Sequence, residues 1–318
     1  RAALEEAHRL WLELNNVPML ADSLSNKGIH HYMRGEYSEA VAVTEEAFRL
    51  SQSIGNVFGQ ANSRFVVGNV YLEMGQTAKA IEIMEEAIRL GEQCGHPPAL
   101  IITRSDLGWM HSVFGNCRLG MELATSALTS AETMYPLWRP HPLATVARIH
   151  LLAGDVQSAA AAVDQARACI KIDSIQLFGR AVLMLAEAEL AFARHDHERA
   201  LAIVEDLLAY LSRAVMRPFV PEALCLKGKV FLALGDIASA GEALRAAQAE
   251  VTALGSRRNL WPVLSALSEV EAQNGNRVEA LSLRQQAHEN LSYIADGIPT
   301  AELRASFLQT SRVRALTN

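Results

Sequence analysis

The sequence lacks most of the signatures that mark metal proteins, disulfide frameworks and membrane proteins. It has four cysteines among 318 residues, and none forms a CxxC pair, so neither a zinc module nor a disulfide framework is expected. No uninterrupted apolar run is long enough for a membrane span, and the first residues lack the charged-then-apolar order of a secretion signal. We therefore expect no metal ion, no membrane partner and a cytoplasmic setting.

Catalytic motifs are missing as well. The phosphate-binding pattern GxxxxGKS/T, the nucleophile pattern GxSxG and the metalloprotease pattern HExxH do not occur in the sequence. The triplet His195-Asp196-His197 falls on a predicted turn, where Asp196 is expected to cap a helix. The net charge of −6 argues against a nucleic-acid partner. We therefore expect no catalytic residue, no cofactor and no nucleic acid.

What the sequence does have is a repeat with a period of forty residues. Residues 5–10 read EEAHRL, residues 45–50 read EEAFRL and residues 85–90 read EEAIRL. The phase persists at five later positions: Ala127, Ala166, Leu207, Ala247 and Ala287. A fixed period in this range indicates stacked helical units.

A second series marks a turn inside each unit. Its members are Gly35, Gly75, Gly115, Gly154, His195, Gly235 and Gly275. Glycine takes the left-handed conformation beyond a helix end at little cost, and histidine tolerates it with some strain. In five of the seven units the next residue is Asp or Asn, which caps a following helix. The series therefore predicts a helix–turn–helix hairpin in each unit.

Small residues flank each turn at fixed distances. Gly28, Gly68, Gly108 and Gly228 precede their turns by seven residues. Glycine inside a helix costs roughly 1 kcal/mol relative to alanine, so its repeated use predicts close packing of the two helices.

These series divide the chain into seven hairpins from residue 17 to residue 298 within a single domain, 1–318. Residues 1–16 are interpreted as the second helix of an earlier hairpin, cut from a longer protein. Residues 299–318 are predicted to form one capping helix, with Leu303, Phe307 and Leu308 closing the open end of the stack.

The spacing of Gly68, Tyr71, Gly75, Ala80 and Ala87 resembles the tetratricopeptide repeat, although the usual unit of that family is about 34 residues. The longer unit and the ending, residues 294–316, are similar to the C-terminal segments of bacterial signalling ATPases. These include transcription activators of the maltose-regulator class and multidomain adenylate cyclases.

The resemblance implies an all-α fold, a right-handed α-solenoid. It also implies a non-catalytic sensor or scaffold module that binds a protein or peptide in its concave groove and acts on upstream domains of the same polypeptide. The alternative is a sensor for a small-molecule inducer. A polar pocket with aromatic side chains would favour the small molecule, and a long open groove would favour a protein ligand.

The first helices of the units are expected to line the groove. The candidate binding residues on them are Asn62, Asn69, Glu73, Trp109, His141, Arg148, Glu189, Lys229 and Glu269. Trp109, with the polar residues around it, is the best candidate for a contact cluster, because exposed aromatic and arginine side chains are common anchors. The alternative is that Trp109 is buried between adjacent repeats. Two aromatic connectors, residues 135–142 and 256–262, are either further contact loops or hydrophobic plugs formed by Trp138 and Trp261.

Overall fold

The computed structural model describes residues 2–170 and 177–317, and the regular elements within these ranges are all helical. The helices are α1 (Ala2–Glu13), α2 (Val17–Arg34), α3 (Tyr37–Ser53), α4 (Val57–Arg64), α5 (Val67–Glu73), α6 (Thr77–Cys94), α7 (Arg104–Val113), α8 (Cys117–Met134), α9 (Pro140–Leu152), α10 (Val156–Cys169), α11 (Leu177–Ala193), α12 (His197–Ala214), α13 (Val220–Leu234), α14 (Ile237–Leu254), α15 (Arg257–Gln273), α16 (Arg277–Asp296), α17 (Ala301–Leu308) and α18 (Ser311–Thr317). A π-helix, Ala99–Thr103, precedes α7, and 3-10 turns at Pro136–Trp138 and Arg217–Phe219 precede α9 and α13.

Between α2 and α16 these helices pair into seven consecutive hairpins, which stack into a right-handed α-solenoid. The first helix of the second hairpin is split into α4 and α5. The all-α fold class is confirmed. None of the described helices is both long and apolar enough to cross a bilayer.

The turn chemistry follows the sequence series closely. All six glycines of the series have positive φ, and His195 takes their place with φ 60°. Four of the predicted caps are confirmed, since the side chains of Asn116, Asp155, Asp196 and Asp236 each accept a backbone amide three residues on. The prediction is wrong for Asn276, whose side-chain amide instead donates to the buried carboxylate of Glu271 (2.7 Å).

The glycines before the turns lie where the two helices of a hairpin touch. A methyl group on Gly108 would lie 2.7 Å from the backbone oxygen of Gly120, and one on Gly228 would lie 2.5 Å from Cγ of Leu244. Neither distance leaves room for a β-carbon. The close packing predicted from the sequence is therefore confirmed at these crossings.

The first helices of the second and third hairpins are both distorted. The backbone leaves the helix at Phe65 and Val66, between α4 and α5. In the next hairpin the π-helix accommodates an extra residue in its turn, and the hydroxyl of Thr103 donates to the freed carbonyl of Phe65 (3.0 Å). Such local insertions redirect the helix that follows. Here they set the direction of α5 and α7.

The curvature of the stack brings its two ends together. The Ala78 amide donates to the carbonyl of Gly297 (2.9 Å), and the Arg217 guanidinium donates to the carbonyl of Arg34 (3.3 Å). One hydrophobic core therefore contains side chains of the second and third hairpins together with those of the sixth and seventh. We call this contact between the early and late hairpins the seam.

The last residues differ from the prediction of a single capping helix. They form α17 and α18, separated at Gln309 and Thr310, where the Thr310 hydroxyl bonds back to the carbonyl of Phe307 (2.8 Å). Phe307 is buried as predicted, but it packs edge-on against Phe114 of the third hairpin, with ring centroids 5.2 Å apart. Leu308 stays exposed. The segment thus lies across the seam as well as against the last hairpin.

Part of the predicted connector 256–262 lies within a helix. Pro262 lies inside α15 and not in a connector. It occupies the cavity side of that helix, next to Trp261.

The packing of Gly108 predicts opposite effects for the same substitution at two helical glycines. Gly108→Ala should lower the free energy of unfolding by about 1–3 kcal/mol, because the new methyl group meets backbone that cannot move aside. Gly241→Ala, where the nearest atom is the end of the Arg245 side chain at 3.2 Å, should be neutral or stabilising by up to about 1 kcal/mol. Urea unfolding of both variants provides the measurement. Equal effects would contradict the account.

His96 provides a pH-dependent cap. His96 lies one period after Asn56 and two periods after Asn16. The side chains of both asparagines accept the backbone amide three residues further on. In the same way, Nδ1 of His96 accepts the Ala99 amide (3.3 Å). Only neutral histidine can accept this hydrogen bond. Burial lowers the pKa of His96 from the ordinary 6.5 to about 4.

Since the folded-state pKa of His96 is depressed, the unfolded chain takes up the proton first as the pH falls. The stabilisation is complete above pH 6.5 and is lost on acidification towards pH 4. His96→Asn keeps the cap and should remove about 3 kcal/mol of this acid sensitivity. Urea unfolding as a function of pH tests this, with exposed His195→Asn as the control. An unchanged pH profile in His96→Asn would refute the assignment.

Candidate functional site

The inner face of the solenoid encloses a central cavity of about 350 Å³. Helices from the second to the seventh hairpin contribute to its wall, together with α17 and α18. Five aromatic side chains line it: Trp109, Phe114, Phe192, Trp261 and Phe307. Six charged side chains line it as well: Arg148, Glu189, Glu222, Lys229, Arg258 and Arg312. The cavity therefore combines an apolar surface with a dense set of charges.

Arg148, on α9, is the most heavily bonded of these charged groups. Its buried guanidinium donates to both carboxylate oxygens of Glu189 (2.8 and 2.9 Å) and to Glu222 (2.5 Å). Charge-assisted bonds of this kind are the strong ones, and a two-pronged pair also fixes orientation. Arg148 thereby ties α9 to α11 and α13, one and two hairpins further on.

The guanidinium of Arg148 also lies over the ring of Trp109, 3.9 Å from the ring centre. A cation in this position is attracted by the negative face of the indole. Trp109 is half-buried and lines the cavity. It is thus neither a freely exposed anchor nor a side chain buried between repeats, the two alternatives that the sequence leaves open.

A second arginine lies at the seam. Arg258, on α15, binds the carboxylate of Glu73 on α5 (2.6 Å). The hydroxyl of Ser256 and the side-chain amide of Asn259 (3.3 Å) also donate to Glu73, whose side chain is buried. The pair joins the second hairpin to the seventh across more than 180 residues of chain.

The two arginines are connected through Glu222. Its second oxygen lies 3.6 Å from the Arg258 guanidinium. The result is a continuous series of five charges, which we call the ionic chain and which runs Glu73, Arg258, Glu222, Arg148 and Glu189. It crosses the cavity wall from the seam to the fifth hairpin.

Electrostatics hold three groups of the ionic chain, Glu222, Arg148 and Arg258, in their charged forms. Burial by itself would raise the pKa of Glu222, but Arg148 and Arg258 outweigh it and lower that pKa to about 2. Burial likewise acts to lower the pKa of Arg148 and of Arg258, yet their carboxylate partners raise both above the ordinary value. Glu222 and the two arginines therefore offer no proton near neutral pH.

A smaller cavity, about 60 Å³, lies on the other side of Trp109 and Arg148. The carboxylate of Asp106 connects its polar residues, accepting from the Asn69 amide (2.7 Å) and facing Nε2 of His141 (2.9 Å). Asp106 thus joins side chains from the second, third and fourth hairpins.

Most of the candidate residues predicted from the sequence meet around these two cavities. They are Asn69, Glu73, Trp109, His141, Arg148, Glu189 and Lys229. Asn62 instead donates to Asp22 of the preceding hairpin (2.9 Å), and Glu269 lies exposed on α15. The structure thus places these two outside the cavity lining.

Sequence reasoning missed several cavity residues. Glu222 shares the register of Asn62 and His141 on the inner face, and this register could have identified it. Arg258 and Trp261 lie in one of the aromatic connectors, where α15 begins. Trp261 is buried and lines the cavity, so it is both a plug and part of the wall. Trp138 packs edge-on against Tyr135 (5.0 Å), away from the cavity.

Comparisons with known proteins agree with the helical-repeat architecture. Residues 61–94 and residues 185–253 match family models of the tetratricopeptide repeat. These two segments therefore match tetratricopeptide repeats, a kind of repeat that implies a scaffold for interactions and is generally not catalytic. No curated protein sequence matches the chain.

Among solved structures, a Rap protein complexed with competence and sporulation factor is similar with a TM-score of 0.63 and 12% identity, over 93% of this chain and 85% of that one. Yeast Tom70 is similar with a TM-score of 0.48 and 16% identity, over 99% and 59%. A signal transduction ATPase with a tetratricopeptide repeat sensor from Pyrococcus horikoshii has a TM-score of 0.49 and 16% identity, over 95% and 46%. The chain thus spans less than two thirds of the latter two. At these identities the likeness to the Rap protein shows the fold alone.

Breaking the seam pair should open the solenoid. Glu73→Gln leaves the half-buried Arg258 without its closest carboxylate. Removing one partner of a buried pair costs about 3–5 kcal/mol, and the partial exposure of Arg258 places this variant at the lower end of that range. We expect a lower free energy of unfolding and a larger radius of gyration in X-ray scattering.

Glu271→Gln is the matched control for this variant. Glu271 is equally buried, but its partners Arg245 (2.6 Å) and Asn276 (2.7 Å) belong to neighbouring elements and not to the seam. Glu271→Gln should lower the free energy of unfolding and leave the radius of gyration unchanged. An unchanged radius of gyration in Glu73→Gln would show that the seam does not depend on this pair.

Proposed function

We propose that this protein is a non-catalytic sensor whose repeats close around a small ligand held in the central cavity. The observation that carries the proposal is the position of that cavity. Its wall contains side chains from both sides of the seam, such as Leu72 on α5 and Asn259 on α15. A ligand that contacts both sides gains its full binding free energy only when the seam is closed. It therefore shifts the solenoid towards the closed form.

The size of the cavity favours a small ligand. At about 350 Å³ it falls within the range of pockets for small molecules, about 300–1,000 Å³. The aromatic and charged side chains of its wall are the composition expected for such a pocket. A long peptide would need the early and late hairpins to separate, because they meet across the groove.

A peptide remains the second candidate. The similar Rap protein was solved as a complex with competence and sporulation factor, and tetratricopeptide repeats imply interaction scaffolds. On this proposal a short peptide inserts one or two side chains into the cavity, while a longer partner requires an open seam.

The charges of the cavity support a binding role over a catalytic one. Both carboxylates of its wall, Glu189 and Glu222, already accept hydrogen bonds from Arg148. With its pKa held at about 2, Glu222 is a poor proton donor near neutral pH. Rigid, mutually satisfied charges suit recognition and the transmission of a conformational change.

We also propose that the sensor acts within a larger cytoplasmic signalling regulator, with an ATPase or cyclase domain upstream of it. The forty-residue unit and the resemblance of residues 294–316 support this part of the proposal. The complete open reading frame tests it. A phosphate-binding loop upstream would agree with it, and a free-standing repeat protein would contradict it.

A thermal-shift screen of metabolites and of peptides of about three to six residues tests the ligand-binding proposal. A bound ligand should raise the melting temperature by several degrees, since binding to the folded form adds to its stability. Trp109→Ala should weaken the ligands by more than tenfold, because stacking on the cavity wall is lost. Trp138→Ala, outside the cavity, should leave them unchanged. If all stabilising partners are long chains that enlarge the radius of gyration, the small-ligand proposal is wrong.

A further inference from the structure

Two cations of the cavity wall stand apart from the ionic chain. Arg148 and Arg258 are each held by carboxylates. Lys229, on α13, and Arg312, on α18, also line the cavity. Within residues 2–170 and 177–317, neither of these two has a carboxylate at ion-pair distance. Lys229 is half-buried, and Arg312 is exposed.

Both cations line the cavity together with Cys225. Burial raises the pKa of the Cys225 thiol; Lys229 and Arg312 both oppose that rise, while Glu222 and Glu269 add to it. Cys225 lies one helical turn before Lys229 on α13 and lines the cavity as well. The shared lining thus places both positive groups and Cys225 in the wall of one cavity.

The charge balance of the wall leaves an excess of positive charge. The six charged side chains that line the cavity are four cations and two carboxylates, so their net charge is +2. Glu73, which binds Arg258 from outside this lining, lowers the sum to +1. With Glu73 included, a ligand with one negative charge would neutralise the wall. A neutral ligand would leave both cations without a partner, and a cationic ligand would increase the excess.

The rest of the wall suits an apolar body. Trp109 presents an indole ring, and Phe114 and Phe307 form an edge-to-face pair close to it. Aromatic rings of this kind stack on flat ligands.

From these observations we propose that the cavity binds a small organic anion with an aromatic or apolar body. This inference rests on the proposed function and specifies its ligand. The acid group of the ligand, a carboxylate, sulfonate or phosphate, binds between Lys229 and Arg312, and its body packs against Trp109 and the phenylalanine pair.

The inference also explains how the ligand would act on the seam. Lys229 belongs to the sixth hairpin, and Arg312 belongs to the segment that lies across the third hairpin through Phe307. An anion bound by both cations links α13 to α18 and thereby holds the C-terminal segment in place. Closure of the seam and binding of the anion then stabilise each other.

Two dyes with nearly the same aromatic body separate charge from shape. Anilinonaphthalene sulfonate is an anion, and phenylnaphthylamine is its neutral counterpart. In fluorescence titrations, Lys229→Met and Arg312→Gln should each lower the affinity for the sulfonate dye by about tenfold. This is the usual effect of losing a charge-assisted hydrogen bond. Both variants should leave the affinity for the neutral dye unchanged. The charge-matched controls are Arg49→Gln and Arg89→Gln, exposed arginines on α3 and α6, which should affect neither dye.

The possible outcomes distinguish this inference from the proposed function. If Lys229→Met and Arg312→Gln lower the affinity for both dyes equally, or change the affinity for neither dye, the cations do not recognise the acid group. The anion inference is then wrong, although the cavity is still a ligand site. If neither dye binds, or if Trp109→Ala changes neither titration, the dyes do not occupy the cavity and the proposed function itself fails.

Competition then identifies the acid group. Indole acetate and phenyl phosphate have bodies of similar size, and each is tested for displacement of the sulfonate dye. Displacement that requires Lys229 and Arg312 supports the inference for the acid that achieves it. If an acid displaces the dye equally well from a variant that combines Lys229→Met with Arg312→Gln, the inference is overturned.

Discussion

The structure depends on one ion pair, which joins the buried Glu73 to the half-buried Arg258. Its members lie on the second and the seventh hairpin, so the pair forms only when the solenoid has curved back on itself. Burying two charges is costly unless they are paired and further hydrogen-bonded. Ser256 and Asn259 supply those bonds to Glu73. The pair is thus strongly favoured in the closed arrangement, and the carboxylate of Glu73 is strongly disfavoured when it is buried alone.

Closure changes the physical character of a repeat array. In an open solenoid each unit contacts only its neighbours, and stability is roughly a sum over units and interfaces. Here the early and late hairpins also share a core and an ionic chain. Loss of any one hairpin would therefore disturb contacts at the far end of the chain. This coupling allows a ligand at the centre to change the arrangement of the whole molecule.

Much of the local structure could be predicted from the sequence. The forty-residue period located the hairpins, and the glycine series located the left-handed turns, including the exceptional His195. The inner-face register predicts that Trp109, Arg148 and Glu189 lie on one surface, and Arg148 contacts both of the others. These successes share a cause, because backbone conformation at turns and the periodicity of helix faces depend on neighbouring residues.

The closed form of the solenoid could not be predicted in this way. The curvature of the solenoid is the sum of small rotations between successive repeats. The break in the helix at Phe65 and the π-helix after Pro98 change some of these rotations. A single sequence contains no signal that pairs Glu73 with Arg258, 185 residues away. A direct measurement of the seam tests the account. Spin labels would be placed at Glu82 and Glu302, two exposed positions on opposite sides of the seam, in a chain whose native cysteines are replaced. The account predicts a single population of short distances between the labels, and the width of this distance distribution should decrease when a ligand binds. A broad distribution of long distances that no ligand changes would contradict it.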